Sequence, residues 1–493
     1  MKKVTLSAHQ KALSLNLDPN IYGTFSEIGA GQEVVRHFFR CGGASGTIAK
    51  AMSAYDMDVS DAIYGKENNK RYVCESRLKK MLNREYELLE QRLSRKKHPT
   101  KKFFSFANTI ATTKYNDENP GHGWMGIKFQ IKANEEPSEI IIHLRLHDRE
   151  ARAQQECVGI LGANLMHASF NLHQSPKKII LALYDSLSKA QLEIDMVQMN
   201  GKLFEHFDNR LLSLFLVKNK MTEAVIFSPE GNSLQPSDVL HKKNILAIRG
   251  SFRPVTKVNI DMIKTGYNLF KKEKKVLEKD LQILFEITLN NLATKKREPI
   301  NKNNNIEEIN IKAIKDQDFL DRVDVLCSIG QTVLISNYGR YYKLMNYFSR
   351  FTDKRMGIIL GIMNLKDIFD QKYYDHLEGG ILEGIGKMFN NDSKVYVYPY
   401  KESNNSELVN SKNIKISKKI KNIYDYYISS KKIIDIEDYD QKVLNIFSHK
   451  VLHMIRNNKH GWEDMVPNYV DNLIKENNLF NFRKKKKIKL IVK

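Results

Sequence analysis

Eight short apolar runs, each followed by a stretch of helical pattern, constrain this chain more than any other feature. They span Ile140 to Leu146, Leu192 to Gln198, Ala224 to Ser228, Asn244 to Arg249, Ile283 to Leu289, Thr332 to Asn337, Met356 to Gly361 and Val395 to Pro399. Each is rich in Ile, Val, Leu or Phe and bounded by turn or polar residues, the pattern of strands buried on both faces. Most of the connections are long enough for the helical crossovers that parallel neighbours require. The pattern predicts an α/β fold built on one mostly parallel sheet. Eight strands favour closure into a (β/α)8-like barrel over an open, doubly wound sheet.

The rest of the 493 residues arrange themselves around that repeat. Residues 1–100 are expected as a helical region with two glycine-rich turns, 101–400 as the α/β core, and 401–493 as a helical extension with a basic tail. Between Arg71 and Arg95, Val73, Leu78, Met81, Leu82, Leu89 and Leu93 recur at helical spacing among charged residues, so one face can be buried. Phe103 to Ala111 and Trp124 to Ile131 are strand-like, and the turn Ala133 to Ser138 joins the latter to the first repeated strand as a hairpin. The polar insertion Ala293 to Gln317 is expected to loop out of the core. Arg483 to Lys487 forms the basic end.

Lys and Arg outnumber Asp and Glu by 79 to 57, a net charge of +22, which suits an acidic partner or a phosphate-bearing ligand. No basic segment interleaves aromatic residues for base stacking, so sequence-specific nucleic-acid recognition is not expected. Four scattered cysteines without a CxxC pair indicate a reducing compartment. His9, Gln10 and Lys11 interrupt any apolar core behind Met1-Lys2-Lys3-Val4, and no run approaches the roughly 18 apolar residues of a membrane span. A cytoplasmic protein without membrane association is expected.

Chemistry is concentrated in two kinds of place. Gly23-Thr24-Phe25-Ser26-Glu27-Ile28-Gly29-Ala30-Gly31-Gln32-Glu33 precedes the helical stretch Val34 to Phe39. Gly42-Gly43-Ala44-Ser45-Gly46-Thr47 precedes Ile48 to Ala54, expected as a helix with Lys50 one turn in. Such turns aim backbone N–H groups at an anion, with Gly29, Gly31, Gly42, Gly43, Gly46, Thr47 and Lys50 as candidates. Neither has the spacing of a Walker loop, and tight helix packing is the alternative. The second place is the carboxyl ends of the repeated strands, where α/β folds gather ligands. Arg145, Arg249 and Arg253 are candidate anion binders there, and Glu286 and Asp195 candidate acid/base groups. Mutual pairing of Arg145 or Arg249 with Asp195 or Glu286 is the alternative. His143 and His147 do not converge on an extended strand, and no HExxH or Cys/His cluster marks a metal. The sequence names no cofactor.

Tyr22 to Glu33, Gly46 to Asp56 and Leu377-Glu378-Gly379-Gly380-Ile381-Leu382-Glu383 resemble, over nearly the full chain, a family of bacterial proteins. Its members bear the labels nicotinate-nucleotide adenylyltransferase or TonB-dependent receptor. The first label implies a cytoplasmic nucleotidyltransferase acting on nicotinate mononucleotide. Gly23 to Phe25 begins like the phosphate-holding Gly-x-Phe-x-Pro-x-His-x-x-His pattern of such enzymes, without its Pro and both His. The second label implies an exported outer-membrane barrel, at odds with the buried-type strands. A cytoplasmic enzyme binding a phosphate-bearing metabolite is therefore expected, with a non-catalytic interaction protein for an acidic partner as the alternative.

Overall fold

The computed structural model describes residues 5–68, 70–113, 120–293, 311–390, 392–401 and 406–482. The basic end Arg483 to Lys487 and most of the insertion Ala293 to Gln317 lie outside the described residues. The chain divides into two compact units, Met1–Thr222 and Glu223–Lys493. Each is α/β, and no described helix is long and apolar enough to cross a membrane.

The first unit holds a six-stranded sheet of β1 (Ile21–Gly29), β2 (Ile48–Ala54), β3 (Lys102–Ala111), β4 (Gly121–Phe129), β5 (Ser138–Leu146) and β6 (Leu192–Asn200). Their spatial order is β2-β1-β3-β4-β5-β6. β1 pairs parallel with both β2 and β3, while β3 to β6 pair antiparallel in turn. The helices are α1 (Ala8–Asn16), α2 (Glu33–Arg40), α3 (Met57–Tyr64), α4 (Glu75–Arg92), α5 (Ala151–Asn171), α6 (Pro176–Leu183) and α7 (Asn209–Lys218). Phe25, Phe104 and Phe106 of the sheet form one core with Phe38 of α2 and Leu161 and Leu165 of α5. On the opposite face Ile28, Ala107 and Ile141 pack against Leu78, Met81 and Leu82 of α4. That face of α4 is the apolar stripe of the Arg71 to Arg95 pattern.

The second unit contains β7 (Ala224–Phe227), β8 (Ser233–Leu234), β9 (Asn244–Arg249), β10 (Leu281–Thr288), β11 (Val333–Ser336), β12 (Met356–Gly361), β13 (Lys394–Tyr398) and β14 (Ile433–Asp435). The order β14-β13-β12-β9-β10-β11-β7-β8 is linear. From β14 to β11 the pairing is parallel, and β7 and β8 add an antiparallel edge. Counted from β9, the parallel strands follow the 3-2-1-4-5-6 order of a doubly wound sheet, with the reversal between β9 and β12. Helices α8 (Pro236–Leu240), α9 (Lys257–Phe270), α10 (Leu289–Leu292), α11 (Asp316–Ser328) and α12 (Tyr341–Phe348) fall among its first strands. Gly266 of α9 lets that helix lie on Ile359, while Leu344, Met345 and Phe348 of α12 cover the other face.

All eight apolar runs are strands, but they do not make one sheet, and among the described residues neither sheet closes into a barrel. The first two are β5 and β6 of the first unit, paired antiparallel, and the third, β7, pairs antiparallel with β11. A continuous apolar run reports burial on both faces, which helix-covered antiparallel strands share with parallel ones. Residues 1–100 also hold more than helices, since β1 and β2 belong to them. Ile48 to Ala54 is the edge strand β2: partly and fully exposed residues alternate strictly along it until Ala54, the period of a strand and not of a helix.

Candidate functional site

In the first unit the chain runs from β1 to its edge neighbour β2, then to β3 on the other side, so the topological reversal falls at the carboxyl end of β1. β1 leaves the sheet through Gly29, at φ +78, and turns through Ala30, Gly31 and Gln32 into α2. The positive φ favours glycine, and close approach to β3 excludes a side chain. A Cβ at Gly29 would lie 2.1 Å from the Ile110 carbonyl oxygen, and one at Gly31 only 1.7 Å from Asn108 Oδ1. This turn follows a strand and opens a helix, an arrangement the sequence left unrecognised because Glu27 and Ser26 interrupt the apolar run of β1.

Beneath the turn the registers line up three polar residues, with Glu27 opposite Ser53 of β2 and Asn108 of β3. Ser53 donates to Glu27 Oε2 at 3.3 Å, and Asn108 Nδ2 donates to the Gly31 carbonyl at 3.4 Å. Glu27 and Asn108 are buried, whereas Ser53 is exposed on the edge strand, so the row opens at the sheet's edge. Glu27 Oε1 and Asn108 Oδ1 are buried without a hydrogen-bond partner among the described residues. Burial pushes the Glu27 carboxyl up to about 8, against the Ser53 hydroxyl and the Val35 amide of α2, with the Glu33 charge adding to the rise. Near neutral pH Glu27 therefore holds its proton.

β5 points the same way as β3, so α5 also begins at this edge. Gln154 pins it there, accepting from the Thr113 amide at 2.8 Å and donating to the Asp148 carbonyl at 2.6 Å. Gly159 and Gly162 bring α5 close to α2, their missing side chains filled by Glu33 and Val34. A groove along these two helices is lined by Glu33, Arg36, His37, Arg40, Arg152 and Glu156.

The second glycine cluster does something else. Gly42 and Gly43 take positive φ in the connection from α2 to β2, where Asn16 Nδ2 donates to the Gly42 carbonyl at 2.7 Å. Gly46 faces open space, and the buried Thr47 accepts from the Gly23 amide at 2.9 Å. The cluster leads into a strand, so no helix N-terminus follows it. Lys50 pairs instead with Glu85 of α4, which also accepts from Tyr64 at 2.9 Å.

The strand-end charges expected to face one pocket belong to two units. On the α4-side face of the first sheet, His143 Nδ1 meets Asp195 Oδ1 at 2.5 Å and Arg145 Nε donates to Asp195 Oδ2 at 3.0 Å. Burial opposes ionisation of Asp195, but the charges and hydrogen bonds of His143 and Arg145 hold its carboxyl below the ordinary value. Burial and the Asp195 charge push Glu193 the other way, and Thr222 donates to it at 2.5 Å. Trp124 packs on His143 with centroids 4.8 Å apart, and burial beside His143 and Arg145 lowers His122 to about 4. In the second unit Arg249 grips Glu286 with both ends of its fork, at 2.7 and 2.8 Å, while Ser336 donates to the same carboxylate at 2.6 Å. The Tyr341 ring lies 4.3 Å from the Arg249 guanidinium. Arg253 bonds Asp318. Each of the three arginines thus ends on a carboxylate. No group of three or more His, Cys, Asp and Glu suited to a metal occurs among the described residues.

No family model matches the chain, and no curated protein does. Solved structures of competence-damage proteins share a limited likeness. The CinA superfamily protein of Enterobacter cloacae aligns with 35% of this chain and 96% of its own at 9% identity and a TM-score of 0.26. CihA from Agrobacterium tumefaciens aligns with 34% of this chain and 98% of its own at 12% identity and a TM-score of 0.26. The Escherichia coli CinA superfamily protein aligns with 34% and 95% at 12% identity and a TM-score of 0.25.

Proposed function

We propose that the protein is an enzyme that binds a phosphate-bearing metabolite, nucleotides included, at the turn Gly29 to Gln32, with Glu27 as its proton-transfer group. One observation carries this reading: a strand–glycine turn–helix at a topological reversal, with two buried, unpartnered oxygens of Glu27 and Asn108 directly beneath it. The Val34 amide of α2 already donates to the Gly31 carbonyl at 3.2 Å and the Val35 amide acts on Glu27, so what the turn offers a phosphate group is the positive end of the helix dipole. A protonated Glu27 presents a donor to such a group where a carboxylate would repel it. Once the proton is given up, the same side chain can take one back from a substrate hydroxyl or amine. Along the adjoining groove Arg36 pairs with Glu33 and Arg152 with Glu156, which leaves Arg40 as the excess positive charge there. Adenylyl transfer to nicotinate mononucleotide is the narrowest form of this reading and would bring its phosphates to the same turn.

The test is turnover of nucleoside mono-, di- and triphosphates by the full chain, followed by phosphorus NMR. Glu27→Gln is expected to lower kcat about a hundredfold or more while the protein stays folded. An active wild type matched by an equally active Glu27→Gln protein would remove Glu27 from the chemistry.

A further inference from the structure

In the second unit, two guanidinium groups hydrogen-bond one carboxylate at the carboxyl edge of the sheet, and a third, that of Arg456, donates to the Phe480 carbonyl at 3.4 Å within range of their charges. Arg253 lies in the connection from β9 to α9, Asp318 and Arg322 stand one turn apart on α11, and Arg456 ends the helix Ser448–Arg456. Arg253 and Arg322 both hydrogen-bond Asp318. Arg322 also donates to the carbonyls of Ser251 at 3.1 Å and Asn291 at 2.7 Å. Its side chain is 1% exposed, and its Nε has no acceptor among the described residues. Burial lowers the proton affinity of Arg322 to about 10, Asp318 opposes the fall, and the charges of Arg253 and Arg456 deepen it. Asp321, the next carboxylate along α11, accepts from Gln317 and the Phe480 amide instead, and burial raises its pKa. Three guanidinium groups against the carboxylates of Asp318 and Asp321 leave the cluster with excess positive charge in a partly desolvated place, which is costly without a further anion.

We propose that Arg253, Arg322 and Arg456 form a binding site for the phosphate group of a small metabolite, with Arg322 Nε–H as its buried donor. Guanidinium forks match phosphate oxygens in pairs, and Asp318 holds two of the three forks in place. The site uses only residues of the second unit and stands apart from the reading of the Gly29 to Gln32 turn.

The experiment is arginine-specific labelling of the full chain with phenylglyoxal, mapped by mass spectrometry with and without inorganic phosphate. Phosphate at ten times its Kd should slow labelling of Arg253 and Arg456 about tenfold by mass action, leaving the exposed Arg350 unchanged. Unaltered labelling of Arg253 and Arg456 up to about 50 mM phosphate, or equal slowing with acetate at the same ionic strength, would overturn the site. In Arg456→Gln, whose side chain is at the surface, the phosphate concentration that protects Arg253 should rise about tenfold. Protection at the wild-type concentration would exclude Arg456 and with it the three-arginine site.

Discussion

Replacing Glu286 by Gln should cost the second unit about 3–5 kcal/mol of stability, the effect of leaving one buried charge without its partner. Glu286 is fully buried, and the Arg249 side chain is 8% exposed. Glutamine keeps the volume and one acceptor but leaves the guanidinium uncompensated between β9 and β10. The Ser336 hydroxyl exchanges a charge-assisted hydrogen bond for a weaker neutral one. The chain has two tryptophans, Trp124 in the first unit and Trp462 in the second, so Trp124→Phe leaves fluorescence from Trp462 to report the second unit alone. Its urea midpoint should fall sharply in Glu286→Gln. An unchanged midpoint would mean that the pair contributes nothing to folding and would return Glu286 to the candidates for chemistry.

Glu27 should make the first unit less stable as pH rises, and Glu27→Gln should abolish that dependence. The folded protein keeps the Glu27 proton up to about pH 8, whereas the unfolded chain releases it near the ordinary value of 4.5. Between those values the native state binds more protons, so stability falls with rising pH across that interval. Below it both states are protonated and the contribution is complete; above it the loss is complete. The difference between wild type and Glu27→Gln should therefore grow by about 2–5 kcal/mol from pH 4.5 to pH 8. Unfolding curves reported by Trp124 in a Trp462→Phe background measure it. Parallel pH profiles for the two proteins would show that Glu27 ionises normally and would deprive it of its role as proton donor.

Apolar runs betrayed every repeated strand, since Ile, Val and Leu clusters mark burial whatever the pairing direction. Direction itself was hidden. β5 and β6 read like parallel strands because α4 and α5 cover their sheet from both sides, and only the pairing reveals two sheets. Arg249 and Glu286 were legible as buried charges, and the alternative of mutual pairing is the geometry they adopt. The juxtaposition of Glu27 and Asn108 is not legible in the sequence because it depends on register between β1 and β3, which are separated by β2 and three helices. A glutamate inside Phe25-Ser26-Glu27-Ile28, two residues before a Gly-x-Gly turn, was the available signal. At Lys50 the local preference of Ala49, Ala51 and Met52 for helix is overridden by pairing with β1, which imposes a strand.

Small molecules that co-purify with the full chain test most directly whether the β1–α2 turn holds a phosphate-bearing ligand. Extracts of wild-type protein should contain a phosphate-bearing compound at near-equal molar amount. Gly31→Ala combined with Asn108→Ala fills the space under the turn without the 1.7 Å clash, and extracts of that folded variant should lack the compound. A wild-type extract free of phosphate compounds, or the same compound retained in full by the double variant, would contradict the assignment.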